Sequence, residues 1–216
     1  MQNLVGWLNL TAVQLWGVDV SWAEVLGDVT GLASVWWAAR ERIWTWPVGI
    51  VNSALFLVLF VDAKLYANGF LQVVFIVLGF YGWWTWVGRH GPQHTLTVIR
   101  RTHRREWIGL IAVGMPALAA WTAWLMFRTD SPAPFWDSLT LVLSVLAIYA
   151  QAKKLLESWW IWITVDLISV PLYLSRGLYP TAGLYVVFGG LCIMGLRDWT
   201  ATMRSDQADD VVGATA

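Results

Sequence analysis

The segment that decides the fold occurs twice in the sequence. Residues 64–86 read KLYANGFLQVVFIVLGFYGWWTW, and residues 177–199 read GLYPTAGLYVVFGGLCIMGLRDW. A shift of 113 positions aligns the two segments without a gap, and Leu-Tyr, Leu, Val-Val-Phe, Gly and Trp then match. The sequence therefore predicts an internal repeat in which this apolar segment forms the last helix of each copy.

The repeat extends to the N-terminal side of both segments. The same offset pairs Trp46 with Trp159, again without a gap. We therefore place the two copies at 20–88 and 135–199, with a linker helix at 107–127 between them. Because each copy has three spans and one span separates them, the copies run in the same direction. Parallel repeats of this kind occur in transporters that bind substrate near the membrane midplane, where the halves meet.

The composition indicates a polytopic membrane protein. Of 216 residues, 58% are hydrophobic and only 13% are charged, and the mean hydropathy is +0.57. The chain also has 18 tryptophans, a residue that favours the membrane–water boundary because its ring is apolar and its N–H is polar. A spanning helix needs about 20 mostly apolar residues. The sequence thus predicts an all-α fold with seven transmembrane helices, at about 20–39, 43–61, 65–88, 107–127, 135–151, 159–175 and 178–197.

Both ends of the chain are predicted to lie outside the transmembrane domain, which covers residues 20–199. Residues 1–19 lack the basic and small-residue features of a signal peptide. They are predicted to form an interfacial segment that Trp7 and Trp16 hold at the membrane surface. Residues 200–216 are small and polar, which predicts a disordered cytoplasmic tail.

The distribution of lysine and arginine predicts the orientation. One side of the predicted membrane carries 11 of the 14 basic residues, and the other side carries Lys64, Arg128 and Arg176. Because cytoplasmic loops are enriched in these residues, we predict a multi-pass cell-membrane protein with its N-terminus outside and its C-terminus in the cytoplasm. The basic loop between the third and fourth spans is expected to contact anionic membrane lipid rather than nucleic acid.

Asp166 is the least expected residue within the spans. A carboxylate at the centre of a membrane helix costs about 2.5–3.5 kcal/mol on insertion scales, so it is expected to face the protein interior and to have a partner. At helical spacing it shares a face with Trp162, Ser169 and Tyr173. This face suits a flat, positively charged, hydroxylated molecule, because it combines an aromatic plane, a carboxylate and two hydroxyl groups. The alternative is a structural aspartate that is hydrogen-bonded to a neighbouring span.

Other polar and aromatic side chains in the spans are candidates for the same substrate site. Gln72 and Tyr185 occupy the same repeat position, and the counterpart of Asp166 is Ser53, next to Asn52. Each alone is more typical of hydrogen bonding between helices, but their shared depth favours a common site. The predicted substrate-binding residues are Trp46, Asn52, Gln72, Tyr149, Trp162, Asp166 and Tyr185.

A membrane-embedded enzyme is the competing class of protein. An intramembrane aspartyl protease would use two facing carboxylates, and Asp28 and Asp166 are the available pair. That type of enzyme has a Tyr-Asp and a Gly-x-Gly-Asp motif, whereas here the aspartates follow Gly27 and Val165. The histidines lie together in one loop without a nearby cysteine, so neither a metal site nor another cofactor is expected.

The motifs that carry these features resemble the PnuC family of vitamin-precursor transporters. They are WPVGI (46–50), DAKLYANGFLQ (62–72), YGWWTW (81–86) and WITVDLISVPLYLSRGLYPTAGLYVVF (162–188). The resemblance, which covers about residues 20–200, implies a SWEET-like fold in a 3+1+3 arrangement of helices, often as a homotrimer. It also implies facilitated diffusion, with uptake driven by phosphorylation of the vitamin inside the cell.

The resemblance implies a substrate as well. The best-known members carry nicotinamide riboside, a precursor for NAD biosynthesis, across the inner membrane. In the family the sixth helix contributes a Trp-x-x-x-Asn pattern, and here Trp162 matches while Asp166 replaces the asparagine. A carboxylate favours a cationic ring, which nicotinamide riboside and thiamine possess, over riboflavin and neutral nucleosides. We therefore expect import of nicotinamide riboside, with thiamine as the alternative.

Overall fold

The computed structural model describes residues 6–7, 10–15, 18–62, 66–87, 98–129 and 132–215. These form two compact units, Met1–Gly88 and Arg89–Ala216. A helix is present at each predicted span. The helices are α1 (Trp22–Ala39), α2 (Thr45–Asp62), α3 (Tyr66–Val87), α4 (Arg104–Arg128), α5 (Pro134–Ala152), α6 (Ser158–Ser175) and α7 (Tyr179–Thr215).

The seven helices of the described residues match the predicted count, although they differ in how apolar they are. By length and composition, the described part of the chain has four helices that can cross a membrane: Gly69–Val87, Arg104–Arg128, Pro134–Ala152 and Tyr179–Ala208. A shorter apolar helix covers Thr45–Val61. The remaining two, α1 and α6, contain carboxylates in their apolar sequence. The protein is therefore a multi-pass membrane protein.

The N-terminal region contains a β-hairpin, so the prediction of an all-α chain was incomplete. Strand β1 (Thr11–Leu15) pairs antiparallel with β2 (Val18–Ser21). Alternating valines and a β-branched threonine favour an extended backbone here. Trp7 stacks on Trp22 with ring centroids 5.7 Å apart, whereas Trp16 lies outside the described residues.

The C-terminal end also differs from the predicted disordered tail. Helix α7 continues through Tyr179–Thr215, a length of 37 residues. Residues 200–215 contain no proline and only one glycine, so nothing in the local sequence breaks the helix once the preceding membrane segment has formed it.

Each unit contains the same interlock of two indole rings and a glycine. In the first unit, Trp46 packs over Gly82 and meets Trp86 edge-on, with ring centroids 5.4 Å apart and an interplanar angle of 83°. In the second unit, Trp159 meets Trp199 with the same 5.4 Å separation at 89°. All of these side chains are buried. The interlock fixes the spacing between α2 and α3, and likewise between α6 and α7.

The turn between α1 and α2 recurs between α5 and α6. Glu41 and Lys154 adopt left-handed backbone conformations, with φ of 53° and 52°, and they are the described non-glycine residues that do so. Glu41 donates its backbone N–H to the Ala38 carbonyl at 3.1 Å, and Lys154 donates to the Gln151 carbonyl at 3.0 Å. These positions are related by the offset of 113. The repeat is therefore visible within each unit, while the SWEET-like 3+1+3 arrangement stays a prediction.

An extended segment before α4 braces the turn between α5 and α6. The Arg100 N–H donates to the Lys154 carbonyl at 3.2 Å, and the Arg100 carbonyl accepts from the Leu156 N–H at 2.9 Å. Thr102 donates to the Glu157 carboxylate through its backbone N–H at 2.8 Å and through its hydroxyl at 2.6 Å. The turn is thus held from two directions.

The interlock predicts that a methyl group on Gly195 destabilises the protein. A Cβ at Gly195 would lie 2.5 Å from the Trp159 ring, which is too close without a shift of the helix. Gly195→Ala is expected to lower stability by about 1–3 kcal/mol, as overpacking does elsewhere. The measurement is the apparent Tm of the purified protein in detergent.

The matched control is Gly190→Ala on the same helix. A Cβ at Gly190 meets nothing within 4 Å among the described residues. This variant is expected to keep the wild-type Tm or to exceed it slightly, because alanine favours the helix. Equal losses in both variants would contradict the interlock.

Candidate functional site

Asp166 is buried inside the second unit with one carboxylate oxygen unpaired. The residue is 6% exposed, and its Oδ2 has no hydrogen-bond partner among the described residues. Gly189 of α7 lies alongside, so that a Cβ there would be 3.8 Å from Oδ2. The Cys192 thiol is within hydrogen-bonding reach of the same carboxylate. The structure therefore brings α7 next to Asp166 and leaves Oδ2 able to accept a further hydrogen bond or to pair with a cation.

Trp162 lies one helical turn before Asp166, as the sequence predicted, and is held by a residue that the sequence did not identify. Its Nε1–H donates to Oε1 of Gln151 at 3.0 Å. Trp162 is half-buried, while Gln151 on α5 is 8% exposed. The hydrogen bond fixes the indole plane relative to α5. One sequence signal for Gln151 existed, since it is a polar residue whose repeat counterpart is Ala38.

Hydroxyl-bearing side chains lie further along the same face of α6. Ser169 is 2% exposed. Tyr173 faces Tyr185 of α7 with ring centroids 5.1 Å apart, and Tyr185 in turn contacts Phe188 at 6.0 Å. The structure thus places Tyr185, which was predicted from the repeat, beside the face that carries Trp162 and Asp166.

Tyr149, the remaining predicted residue of the second unit, makes a cation–π contact, and its role in substrate binding stays a prediction. The Lys153 ammonium lies 4.7 Å from the centre of its ring, in a cation–π contact. The same contact joins Arg40 and Trp36 at 4.6 Å, and these positions are related to the first pair by the repeat offset. Tyr149 therefore belongs to a repeated contact next to the turn.

The predicted residues of the first unit are distributed over separate contacts. Asn52 donates through Nδ2 to the Gly27 carbonyl at 2.6 Å and to the Thr30 hydroxyl at 2.9 Å, which ties α2 to α1. Trp46 is 5% exposed within the interlock. Gln72 is half-buried on α3. Their contact with a ligand stays a prediction.

The two aspartates considered for an enzyme belong to different units of the chain. Asp28 is half-buried in the first unit, whereas Asp166 belongs to the second. Among the described residues, no three His, Cys, Asp or Glu side chains cluster in a way that could hold a metal ion. His90 and His94 lie outside the described residues.

Comparison with known proteins places the chain in a family. The model of the family described as Nicotinamide mononucleotide transporter matches residues 21–201. The chain belongs to this family, the PnuC family of membrane transporters. The resemblance seen in the sequence motifs is therefore confirmed at the level of the family.

Individual relatives of the PnuC family cover nearly the whole chain. It is 30% identical to the riboflavin/roseoflavin transporter RibM of Streptomyces davaonensis, over 98% of this chain and 100% of that protein. It is 27% identical to the nicotinamide riboside transporter PnuC of Escherichia coli, over 87% of this chain and 89% of that protein.

A solved structure shares the fold. The crystal structure of the vitamin B3 transporter PnuC matches with a TM-score of 0.68 at 21% identity, over 85% of this chain and 83% of that one. The relatives are named as transporters, which agrees with the expectation that this member of the PnuC family is a transporter rather than an enzyme.

The unpaired oxygen of Asp166 predicts that removing its charge stabilises the empty protein. A buried carboxylate without a counter-ion loses its hydration without full compensation. Asp166→Asn is expected to raise stability by about 1–2 kcal/mol, since a central carboxylate is costly in a membrane helix. The measurement is the apparent Tm, together with the yield of folded protein.

Asp137→Asn is the control for this prediction. The Asp137 carboxylate accepts two hydrogen bonds from Arg176 Nη2, at 2.8 and 3.0 Å. Loss of this half-buried ion pair is expected to lower stability by about 0.5–1 kcal/mol. A lower Tm for both variants would mean that Asp166 is satisfied in the empty protein.

Proposed function

We propose that this PnuC family member imports a vitamin with a cationic aromatic ring, and that the substrate is nicotinamide riboside. The single observation that carries the proposal is the buried Asp166 carboxylate with an unpaired Oδ2, one helical turn from the Trp162 indole. An indole face attracts a cation through its ring quadrupole. A carboxylate next to it supplies a counter-charge, and the attraction is stronger where the dielectric is low.

The same face supports recognition of a sugar attached to the ring. Ser169, Tyr173 and Tyr185 lie beyond Asp166 along the α6–α7 contact. Hydroxyl groups both donate and accept hydrogen bonds, so they suit the hydroxyls of a ribose. The ring would then stack near Trp162, and the sugar would point towards the tyrosines.

The proposed transport mode follows the family resemblance. Substrate would cross by facilitated diffusion, and phosphorylation inside the cell would prevent its return and make uptake one-way. We include assembly as a homotrimer in the same proposal. Transport that needs no ion gradient would be visible as counterflow of labelled substrate in proteoliposomes without an imposed gradient.

Riboflavin is the second candidate, because a relative that covers 98% of the chain at 30% identity is named as a riboflavin/roseoflavin transporter. Its ring system is neutral, so the Asp166 charge gives it no advantage. Thiamine, the alternative predicted from the sequence, shares the positive charge with nicotinamide riboside and is therefore favoured over riboflavin on electrostatic grounds.

A ligand panel tests the proposal. Isothermal titration of purified protein with nicotinamide riboside, thiamine, riboflavin and uridine is expected to give the lowest Kd for nicotinamide riboside. If thiamine binds most tightly, the proposal that the substrate has a cationic ring stands, but the substrate is thiamine rather than nicotinamide riboside. Tightest binding of riboflavin or uridine would overturn the cationic assignment, while membership of the family would stand.

Substitutions of Trp162 test the stacking role. Trp162→Ala removes the aromatic plane and is expected to weaken binding of the tightest ligand by about 1–3 kcal/mol, the range for ring stacking and cation–π contacts. Trp162→Phe keeps a plane and is expected to cost less. Small, equal effects of both changes on folded protein would mean that Trp162 only packs.

A further inference from the structure

The hydrogen bond between Gln151 and Trp162 crosses the turn from α5 to α6. Oε1 of Gln151 accepts the indole N–H at 3.0 Å, although the residues are 11 positions apart in the chain. Gln151 is 8% exposed, and a buried amide oxygen needs a partner. An indole N–H that points at one fixed acceptor selects one ring orientation among the rotamers that the helix allows.

The acceptor is carried by a rigid part of the second unit. Gln151 also accepts, through its backbone carbonyl, the N–H of Lys154, whose left-handed conformation closes the turn. The extended segment around Arg100 adds two backbone hydrogen bonds to the same turn. A group fixed in this way can hold a binding residue in place, which is how supporting residues create a preorganised site.

Comparison of the two repeat copies shows that this hydrogen bond occurs in one copy, whereas the packing contacts of the helices occur in both. Trp159, which belongs to the interlock, has its counterpart in Trp46, so the packing contact is present in both copies. Gln151 and Trp162 correspond instead to Ala38 and Gly49, which have neither an amide nor an indole. The pair is absent from the first copy, although the surrounding turn is the same. A contact that serves only the folding of the helical triplet would be expected in both.

We infer that Gln151 is a positioning residue of the substrate site, which sets the plane of Trp162 through this hydrogen bond. The inference rests on the proposed function, in which Trp162 stacks on the ring of the ligand. The Gln151 side chain acts through Trp162 and need not contact the ligand itself. Its effect on binding should therefore disappear when the indole N–H is absent.

A double-mutant cycle tests the inference with nicotinamide riboside as the probe, or with the tightest ligand of the panel. Gln151→Met has a similar shape but only a weak sulfur acceptor, and is expected to raise Kd about three- to tenfold, the equivalent of one hydrogen bond. In the Trp162→Phe background, which lacks the N–H, Gln151→Met is expected to leave Kd unchanged. The same fold-loss in both backgrounds, or no loss in either, would overturn the positioning role.

Ser138→Ala is the matched control. Ser138 is also buried on α5, but its hydroxyl donates within its own helix, to the Pro134 carbonyl at 2.6 Å. Its replacement is expected to leave Kd unchanged in both backgrounds. A loss equal to that of Gln151→Met would show that general loosening of α5 explains the effect.

A measurement without ligand keeps the inference separate from the proposed function. In protein labelled with ¹⁵N-tryptophan, Trp162→Phe identifies the Trp162 indole resonance by its disappearance. Solvent exchange of this N–H is expected to become at least several-fold faster in Gln151→Met and to stay the same in Ser138→Ala. If the wild-type protein binds none of the four ligands in the panel, the proposed function is wrong. Unchanged solvent exchange of the Trp162 N–H in Gln151→Met would overturn the positioning role, whatever the outcome of the ligand titrations.

Discussion

The close approach of an indole ring to a glycine determines the geometry of each helical triplet. Lipid tails are as apolar as leucine, so membrane helices associate through close packing rather than by exclusion from water. Gly195 provides the space that the Trp159 ring fills, and Trp199 closes it from the side. The offset copy, Trp46 on Gly82, gives the first unit the same spacing. The tryptophans thus serve the interior as well as the membrane boundary.

The site in the second unit depends on this spacing. Trp159 precedes Asp166 by about two helical turns, and Gly195 follows Gly189 by a similar distance on α7. The packing of Trp159 on Gly195 therefore sets the distance between α6 and α7 at Asp166, where Gly189 faces Oδ2. A larger residue at Gly189 would cover the carboxylate, and a wider helix spacing would expose it. The same approach brings Tyr173 against Tyr185 and completes a face that is aromatic, acidic and hydroxylated.

Patterns within single helices were predictable from the sequence, and contacts across turns were not. The helices and the common face of Trp162 and Asp166 follow from hydropathy and a period of 3.6 residues. The packing of Trp46 on Gly82 and Trp86 was not predicted, because a repeated tryptophan is equally compatible with packing and with binding, and its contact with a ligand stays a prediction. The hydrogen bond between Gln151 and Trp162 was not predicted, because the two residues lie on different helices. The turn between these helices has a lysine rather than a glycine in the left-handed conformation, so the sequence did not mark it as a tight turn. The N-terminal hairpin and the continuation of α7 to Thr215 depend on local pairing and helix propagation, which a composition-based prediction of tails does not capture.

The proposed role of Asp166 as counter-charge is tested most directly by a pair of dissociation constants. Nicotinamide riboside carries a cationic ring, and its reduced dihydro form has nearly the same shape without the charge. Titration calorimetry of wild type and Asp166→Asn would give the ratio of the two constants in each protein. We expect the substitution to reduce the preference for the cation by roughly 1–3 kcal/mol, or about 5- to 150-fold. An unchanged ratio would contradict the counter-charge role and would identify Asp166 as a structural residue.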